Sequence, residues 1–187
     1  RSEGSGLRPR GTIRVTSNRR SVDFFAMHDL SDTIVTVSSA VGGVRSIVRV
    51  TGPQAIAVFE RVFEPSLGSR ISNRTILAGV VRIADDLSVD ARLYPFFAPH
   101  SYTGEDLAEI HVHAAACVVE ALVEGLLAQG CRAAGPGEFT ARAYLNGKLD
   151  LAQAEAVNEI ISSSNSLQLE AAERLLGGRL TKATEEI

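Results

Sequence analysis

Short apolar runs separated by turn residues fill the first part of the chain. The runs "DTIVTVSSA" and "GGVRSIVRVTGP" are rich in β-branched residues, which predicts two strands. In "PQAIAVFERVF" the apolar residues recur at helical spacing instead. Two further apolar runs, "RTILAGVVRIA" and "LSVDARLYPFFAP", meet at Asp85-Asp86 and predict an antiparallel hairpin.

A strand, a long helix and a short last strand complete this pattern. Alternation over Leu107 to His113 predicts a strand, and the apolar stretch after it predicts a helix that ends at Gly130. "CRAAG" favours one more short strand. We therefore predict an α+β domain over residues 31–135, with a mixed β-sheet and helices packed on it.

After Pro136 the pattern becomes helical to the end of the chain. Apolar spacing predicts three helices, at about Gly137–Leu145, Leu151–Ser163 and Leu167–Ala183. Residues 136–187 are thus predicted to be an all-α segment, the start of a helical domain.

Several residues that favour helix starts and ends occur close together in "PGEFTARAYLNGKLDLAQAEA" (136–156). Pro136 favours a helix start, Asn146-Gly147 a C-cap, and Asp150 with Gln153 has the spacing of a capping box. Lys148 falls in the elbow between two helices. It either complements the carboxyl end of the preceding helix or presents one ammonium group at a binding cleft.

Charge and composition limit the cellular setting. Residues 1–30 hold six arginines against three acidic residues and show no periodicity, which predicts a flexible Arg-rich leader, solvated or touching nucleic acid. The net charge of −3 leaves the rest acidic, a poor match for a phosphate backbone. Without a membrane-spanning apolar run, a secretory signal or a C-x-x-C pair, a cytoplasmic protein is expected.

One strand carries a polar face. Alternation places Glu109, His111 and His113 on one side and apolar residues on the other, which indicates a cleft or a solvent-facing surface. A carboxylate with two histidines can ligate zinc, but a further ligand is needed, so a hydrogen-bonded structural role is the alternative.

A second strand carries arginines on one face. Arg45 and Arg49 flank Ile47 on the same side of the "GGVRSIVRVTGP" strand. Paired guanidinium groups beside a glycine turn suit an anionic ligand such as a carboxylate or phosphate, and solvated charge on an edge strand is the alternative. Phosphate-binding loops and nucleophile elbows are absent from the sequence, so it carries no GTPase motif of its own.

Two longer stretches, "SYTGEDLAEIHVH" and "GPGEFTARAYLNGKLDLAQAEAVNEII", resemble motifs of a known family. From about Asp32 onward the chain is similar to the N-terminal domain and first central helices of the bacterial tRNA modification GTPases of the MnmE, or TrmE, family. The resemblance implies a fold like the folate-binding module of glycine-cleavage T-protein, and homodimerisation. The chain starts without Met and ends in helix-favouring sequence, so we expect a fragment.

The same resemblance implies a ligand and partners. The family's folate contacts fall on Arg49, Glu109 and Lys148, with 5-formyltetrahydrofolate or another tetrahydrofolate derivative as the one-carbon donor for wobble-uridine C5 modification in tRNA. GTP, Mg²⁺ and K⁺ belong to a G domain that is absent from these residues. An FAD-dependent MnmG (GidA)-like protein and tRNA are the implied partners of the full-length protein.

Two departures from the family pattern define an alternative. Arg45 stands in the glycine loop where a small residue is expected, and His113-Ala114-Ala115 replaces a His-Gly-Gly. The alternative is a divergent structural dimerisation domain that has lost folate binding.

Overall fold

The chain is described by a computed structural model that covers residues 31–39, 45–66, 70–73, 75–84, 87–163 and 166–177. The proposed leader, residues 1–30, and the hairpin turn at Asp85-Asp86 lie outside these residues. The strands are β1 (Ile34–Val37), β2 (Ser46–Thr51), β3 (Phe63–Pro65), β4 (Leu77–Ala84), β5 (Leu87–Phe96), β6 (Leu107–Val112) and β7 (Arg132–Ala133). The helices are α1 (Ala55–Val62), α2 (Ala116–Ala128), α3 (Glu138–Leu145), α4 (Leu151–Ser162) and α5 (Ser166–Leu176).

The strands form one mixed sheet. In the described residues its order is β3-β4-β5-β6-β2-β1-β7. Every neighbouring pair is antiparallel except β1 and β7, which run parallel. The predicted α+β class with a mixed sheet is confirmed, and so is the β4–β5 hairpin.

One face of the sheet is covered by α1 and α2. Alternate residues of the central strands, such as Val48, Val50 and Ile110, are fully buried on this side. They pack against the apolar sides of the two helices, including Phe59 and Leu122. Burial of these side chains is the main stabilising term of the domain.

Within the described residues, the opposite face is covered at one end only. There Phe139 of α3 packs with Ile34 of β1 and Leu107 of β6 in a second, smaller apolar cluster. Beyond that cluster, the same side of β2, β5 and β6 carries polar or half-buried residues such as Arg49 and His111. We call this uncovered part, defined by Arg49, Tyr94, Glu109 and His111, the open face.

Most of the predicted helix boundaries are confirmed. Asp150 and Gln153 form a complete capping box at the start of α4. Gly130 closes α2 with a positive φ of 97°, and the Cys131 amide donates back to Leu126. Helix α3 begins at Glu138, because Gly137 before it adopts a left-handed φ of 74°.

One strand was not predicted. The apolar spacing that predicted a helix continues through Phe63, but the helix ends at Val62 and Phe63 begins β3. Phe63 turns extended because it pairs with Val81 of β4, a partner distant in sequence. The last predicted helix is present as Ser166–Leu176, and its predicted end at Ala183 lies outside the described residues.

Candidate functional site

An ion pair across two strands lies at the centre of the open face. Arg49 of β2 and Glu109 of β6 are direct cross-strand neighbours. Glu109 Oε1 accepts from Arg49 Nε at 2.7 Å and lies 2.6 Å from Arg49 Nη2. The structure therefore brings together two of the three residues that the family resemblance implied.

His111 extends this pair into a triad. Its Nε2 lies 3.1 Å from Glu109 Oε2, and because a carboxylate only accepts, Nε2 is the donor. The His111 ring packs against Tyr94, with the ring centroids 4.2 Å apart. We refer to Arg49, Glu109 and His111 as the open-face triad.

The triad keeps one unused polar atom. His111 Nδ1 is buried and has no hydrogen-bond partner in the described residues. In an imidazole ring whose only proton is on Nε2, Nδ1 is an acceptor. Buried polar atoms without partners are uncommon and often mark functional sites.

A cavity of about 310 Å³ adjoins the triad on the open face. This volume is at the lower end of the range for small-molecule sites. His111 is shared by the triad and the cavity wall. The charged and aromatic groups of the wall are Arg45, Asp90, Arg92, Tyr94, His111 and His113.

Lys148 lies in the elbow after α3, as predicted. Gly147 N donates to Tyr144 O and Lys148 N to Ala143 O, the paired bonds of a Schellman helix end. Lys148 Nζ donates to Pro99 O at 3.0 Å. In the described residues no hydrogen bond or ion pair joins Lys148 to the open-face triad.

The loop before β6 fixes the surroundings of Lys148. Gly104 has a φ of 79°, and a Cβ there would lie 3.0 Å from Asn146 Cβ and 3.2 Å from Lys148 Cγ. Asn146 Nδ2 donates to Thr103 O at 2.8 Å, and the Thr103 and Thr51 hydroxyl oxygens are 2.6 Å apart. The "YTGED" and "LNGK" stretches are thus packed directly on each other.

A second ionic group, missed from the sequence, lies behind this loop. Arg142 donates to Asp32 and to Glu138, and its Nη1 lies 3.2 Å from Glu105 Oε2. Arg132 Nη2 lies 2.6 Å from Glu138 Oε1. We call these five residues the buried cluster. Glu138 and Arg142 are each only 1% exposed, and their i, i+4 spacing on α3 was the available signal in the sequence.

The charges of the buried cluster are fixed by its hydrogen bonds. Burial by itself raises the pKa of Glu138, but hydrogen bonds from Arg132, the Gly135 amide and Arg142 outweigh it and lower that pKa to about 2. Burial likewise opposes ionisation of Asp32, and its bonds to Arg132 and Arg142 hold its pKa below the ordinary value. Asp32 and Glu138 are therefore held ionised by their arginine partners, which indicates a structural role for the cluster.

A zinc site at Glu109, His111 and His113 does not form in the described part of the chain. No group of three or more His, Cys, Asp or Glu residues there is arranged to hold a metal ion. Glu109 instead accepts from Arg49 and His111.

Burial raises the pKa of the Cys131 thiol to about 11, which makes it an inert core residue. None of the described helices is long and apolar enough to cross a membrane.

The residues of the site fall within a match to a protein family. The family model described as "GTP-binding protein TrmE N-terminus" matches residues 33–148, more than half of the chain. The chain belongs to the TrmE family. The matched range contains the open-face triad and ends at Lys148.

Curated TrmE relatives carry the name "tRNA modification GTPase MnmE". The chain is 40% identical over 139 residues to the relative from Bacteroides thetaiotaomicron, covering 72% of this chain and 30% of the relative. It is 45% identical over 157 residues to the relative from Carboxydothermus hydrogenoformans, covering 81% of this chain and 34% of that relative. It is 42% identical over 158 residues to the relative from Roseiflexus sp., covering 83% of this chain and 34% of that relative. The chain thus spans about a third of the length of these TrmE relatives.

One departure from the family pattern has a simple structural explanation. Ala115 precedes α2 with a φ of −64° and a ψ of 155°, a conformation that any residue adopts. Alanine in place of glycine there causes no backbone strain. At Ala115, backbone strain is therefore not an argument for a domain that has lost its ligand.

Proposed function

We propose that this chain is the N-terminal, folate-binding part of a tRNA modification GTPase. Its relatives carry that name, and the ligand is a reduced folate, 5-formyltetrahydrofolate or another tetrahydrofolate derivative. The observation that carries the proposal is the carboxylate of Glu109. Arg49 and His111 orient it on the open face, and its side chain is 17% exposed.

The donor and acceptor set of the open face suits a folate. A pterin ring presents adjacent N–H donors. The Glu109 carboxylate has roughly four acceptor positions, and Arg49 and His111 occupy three of them. The first glutamate of the ligand carries a carboxylate, for which Arg49 or Lys148 is a suitable cation.

The rest of the proposal concerns the full-length protein. The module folds like the tetrahydrofolate-binding module of glycine-cleavage T-protein and mediates homodimerisation in the cytoplasm. The folate supplies the one-carbon unit for C5 of the wobble uridine in tRNA, together with an FAD-dependent MnmG-like partner. GTP, Mg²⁺ and K⁺ bind to a separate G domain.

Calorimetric titration of the 187-residue chain with 5-formyltetrahydrofolate tests the proposal. Glu109→Gln and Lys148→Met each remove one charged contact, which should weaken binding by about 2 kcal/mol, or roughly thirtyfold. Arg174→Ala is the matched control, because Arg174 is exposed on α5 and its ion pair with Glu170 is long, at 3.9 Å. Equal affinities for wild type and both variants would refute the assigned contacts.

The structural alternative makes a distinct prediction for the same titration. A dimerisation domain without a ligand would show no heat of binding in a folded, dimeric wild type. Arg45 in the glycine loop and Ala114 in place of a glycine are the features that favour it. Arg45→Gly would then be expected to restore binding, whereas our proposal expects wild-type binding without that change.

A further inference from the structure

The cavity beside the open-face triad has an excess of unpaired positive charge. Arg45 and Arg92 both contribute to its wall. Ion pairs in the described residues involve Arg49, Arg132, Arg142 and Arg174, so Arg45 and Arg92 have no carboxylate partner in that part of the chain. Asp90 is the only carboxylate of the cavity wall as described. Two guanidinium groups against one carboxylate favour an anionic occupant.

The two arginines lie on the same side of the sheet as Glu109. Arg92 of β5 is the direct cross-strand neighbour of His111, and His111 donates to Glu109. Arg45 immediately precedes β2, four residues before Arg49 and so roughly 13 Å from it along the extended chain. A ligand held at Glu109 can therefore reach the cavity past His111 without leaving the open face.

We propose that this cavity is a subsite for the carboxylates of a γ-linked oligoglutamate tail, with Arg45 and Arg92 as the binding groups. The inference rests on the proposed folate function and assigns the two ends of the ligand. The pterin end is at Glu109, and the tail extends toward Arg45. Arg45, unexpected in a glycine loop, thus becomes a specificity residue for tail length.

The test compares three ligands that differ only in the tail. They are 5-formyltetrahydropteroate, which has no glutamate, and 5-formyltetrahydrofolate with one or with three γ-linked glutamates. We expect the triglutamate form to bind about fivefold more tightly than the monoglutamate form, with a gain that shrinks at high salt. The Arg45→Ser/Arg92→Ser double variant should abolish this gain and leave pteroate affinity unchanged.

Two further variants sharpen the result. Asp90→Asn should tighten triglutamate binding two- to threefold, because it removes the opposing carboxylate from the cavity wall. Arg174→Ala, which removes an arginine far along the chain on α5, should leave all three affinities unchanged. A triglutamate form that binds no more tightly, or a gain that survives the double variant, overturns the subsite and leaves the folate proposal intact.

A last experiment distinguishes a failure of the subsite from a failure of the proposed function. If none of the three folates binds, the folate proposal fails, and γ-triglutamate alone and inorganic phosphate are titrated instead. Triglutamate binding that the double variant abolishes supports the subsite on its own. Phosphate binding as tight as triglutamate binding, or no binding of either, overturns the assignment to a glutamate tail.

Discussion

The buried cluster and the open-face triad are both built from arginine and carboxylate, but they differ in how deeply their central residues are buried. In the buried cluster, both terminal nitrogens of Arg142 reach two acceptors each, and only its Nε has no partner in the described residues. Glu138 and Arg142 at the centre of the cluster are 1% exposed, whereas the side chains of the triad are 11–29% exposed and border a cavity.

This difference divides the residues of the family motifs into two kinds. In "PGEFTARA", Glu138 and Arg142 are enclosed by protein groups and hold α3 to β1 and to the loop before β6. Glu109 in "EDLAEIHVH" faces an open surface. A specific motif therefore does not by itself indicate a ligand contact.

The largest expected effect is that of Arg142→Met. Removing Arg142 from the buried cluster leaves Asp32 and Glu138 with Arg132 as their only cation among the described residues and removes the ion-pair partner of Glu105, and breaking a buried ionic network typically costs about 3–5 kcal/mol. Urea unfolding followed by circular dichroism measures this loss, with Arg174→Ala as a control that should change stability by less than about 0.5 kcal/mol. A loss below about 1 kcal/mol would mean that the cluster is not structural.

The effect of Glu138→Gln on the free energy of unfolding should depend on pH. The pKa of Glu138 in the folded state, about 2, lies below its ordinary value of 4.5. The stabilisation is therefore complete above about pH 4.5 and is lost as the pH falls toward 2. Its size is on the order of 3 kcal/mol. Urea unfolding of wild type and variant should differ by this amount at pH 7 and converge toward pH 2, and a difference independent of pH would contradict the linkage.

Gly104→Ala should have an intermediate effect. The left-handed φ costs a non-glycine residue about 1–2 kcal/mol, and the added Cβ crowds Asn146 and Lys148. Gly130→Ala is the matched control, because its φ of 97° is also positive but no atom lies within 4 Å of the added Cβ. Thermal unfolding should show the larger loss of stability for Gly104→Ala. Equal losses for the two variants would show that the loop accommodates the added Cβ without a further loss of stability.

Glu109→Gln should have the smallest effect on stability. Its partner Arg49 is 29% exposed, and partly exposed pairs contribute up to about 1 kcal/mol. The expected result is a small shift in urea unfolding together with the large loss of folate affinity described above. A stability loss as large as that of Arg142→Met would remove the distinction between the two ionic groups.

Local features of the fold could be predicted from the sequence to a large extent. Alternation over Leu107 to Val112 indicated which side of β6 is polar, and the cap residues indicated the ends of α2 and α3 and the start of α4. Strand β3 could not be predicted, because Phe63 continues a helical pattern and becomes extended only through pairing with β4.

The candidate site was predictable in part. The face of β6 that carries Glu109 and His111 follows from alternation, and Lys148 in its elbow follows from the caps, but their ligand roles remain proposals. The contact of Arg49 with Glu109 joins residues 60 positions apart, and no local pattern reports it. The unused Nδ1 of His111 depends on the packing of Tyr94 and on the direction of one hydrogen bond.

By itself, the sequence determined most of the elements, the polar side of β2 and β6 and the caps, because these depend on side chains within a few residues of one another. Only the tertiary structure decided which charges are enclosed and which remain available. Asp32 and Arg142, 110 residues apart in sequence, meet because α3 folds back onto β1. Whether an arginine is structural or can bind a ligand depends on how completely its surroundings satisfy it, and those surroundings are set by long-range packing.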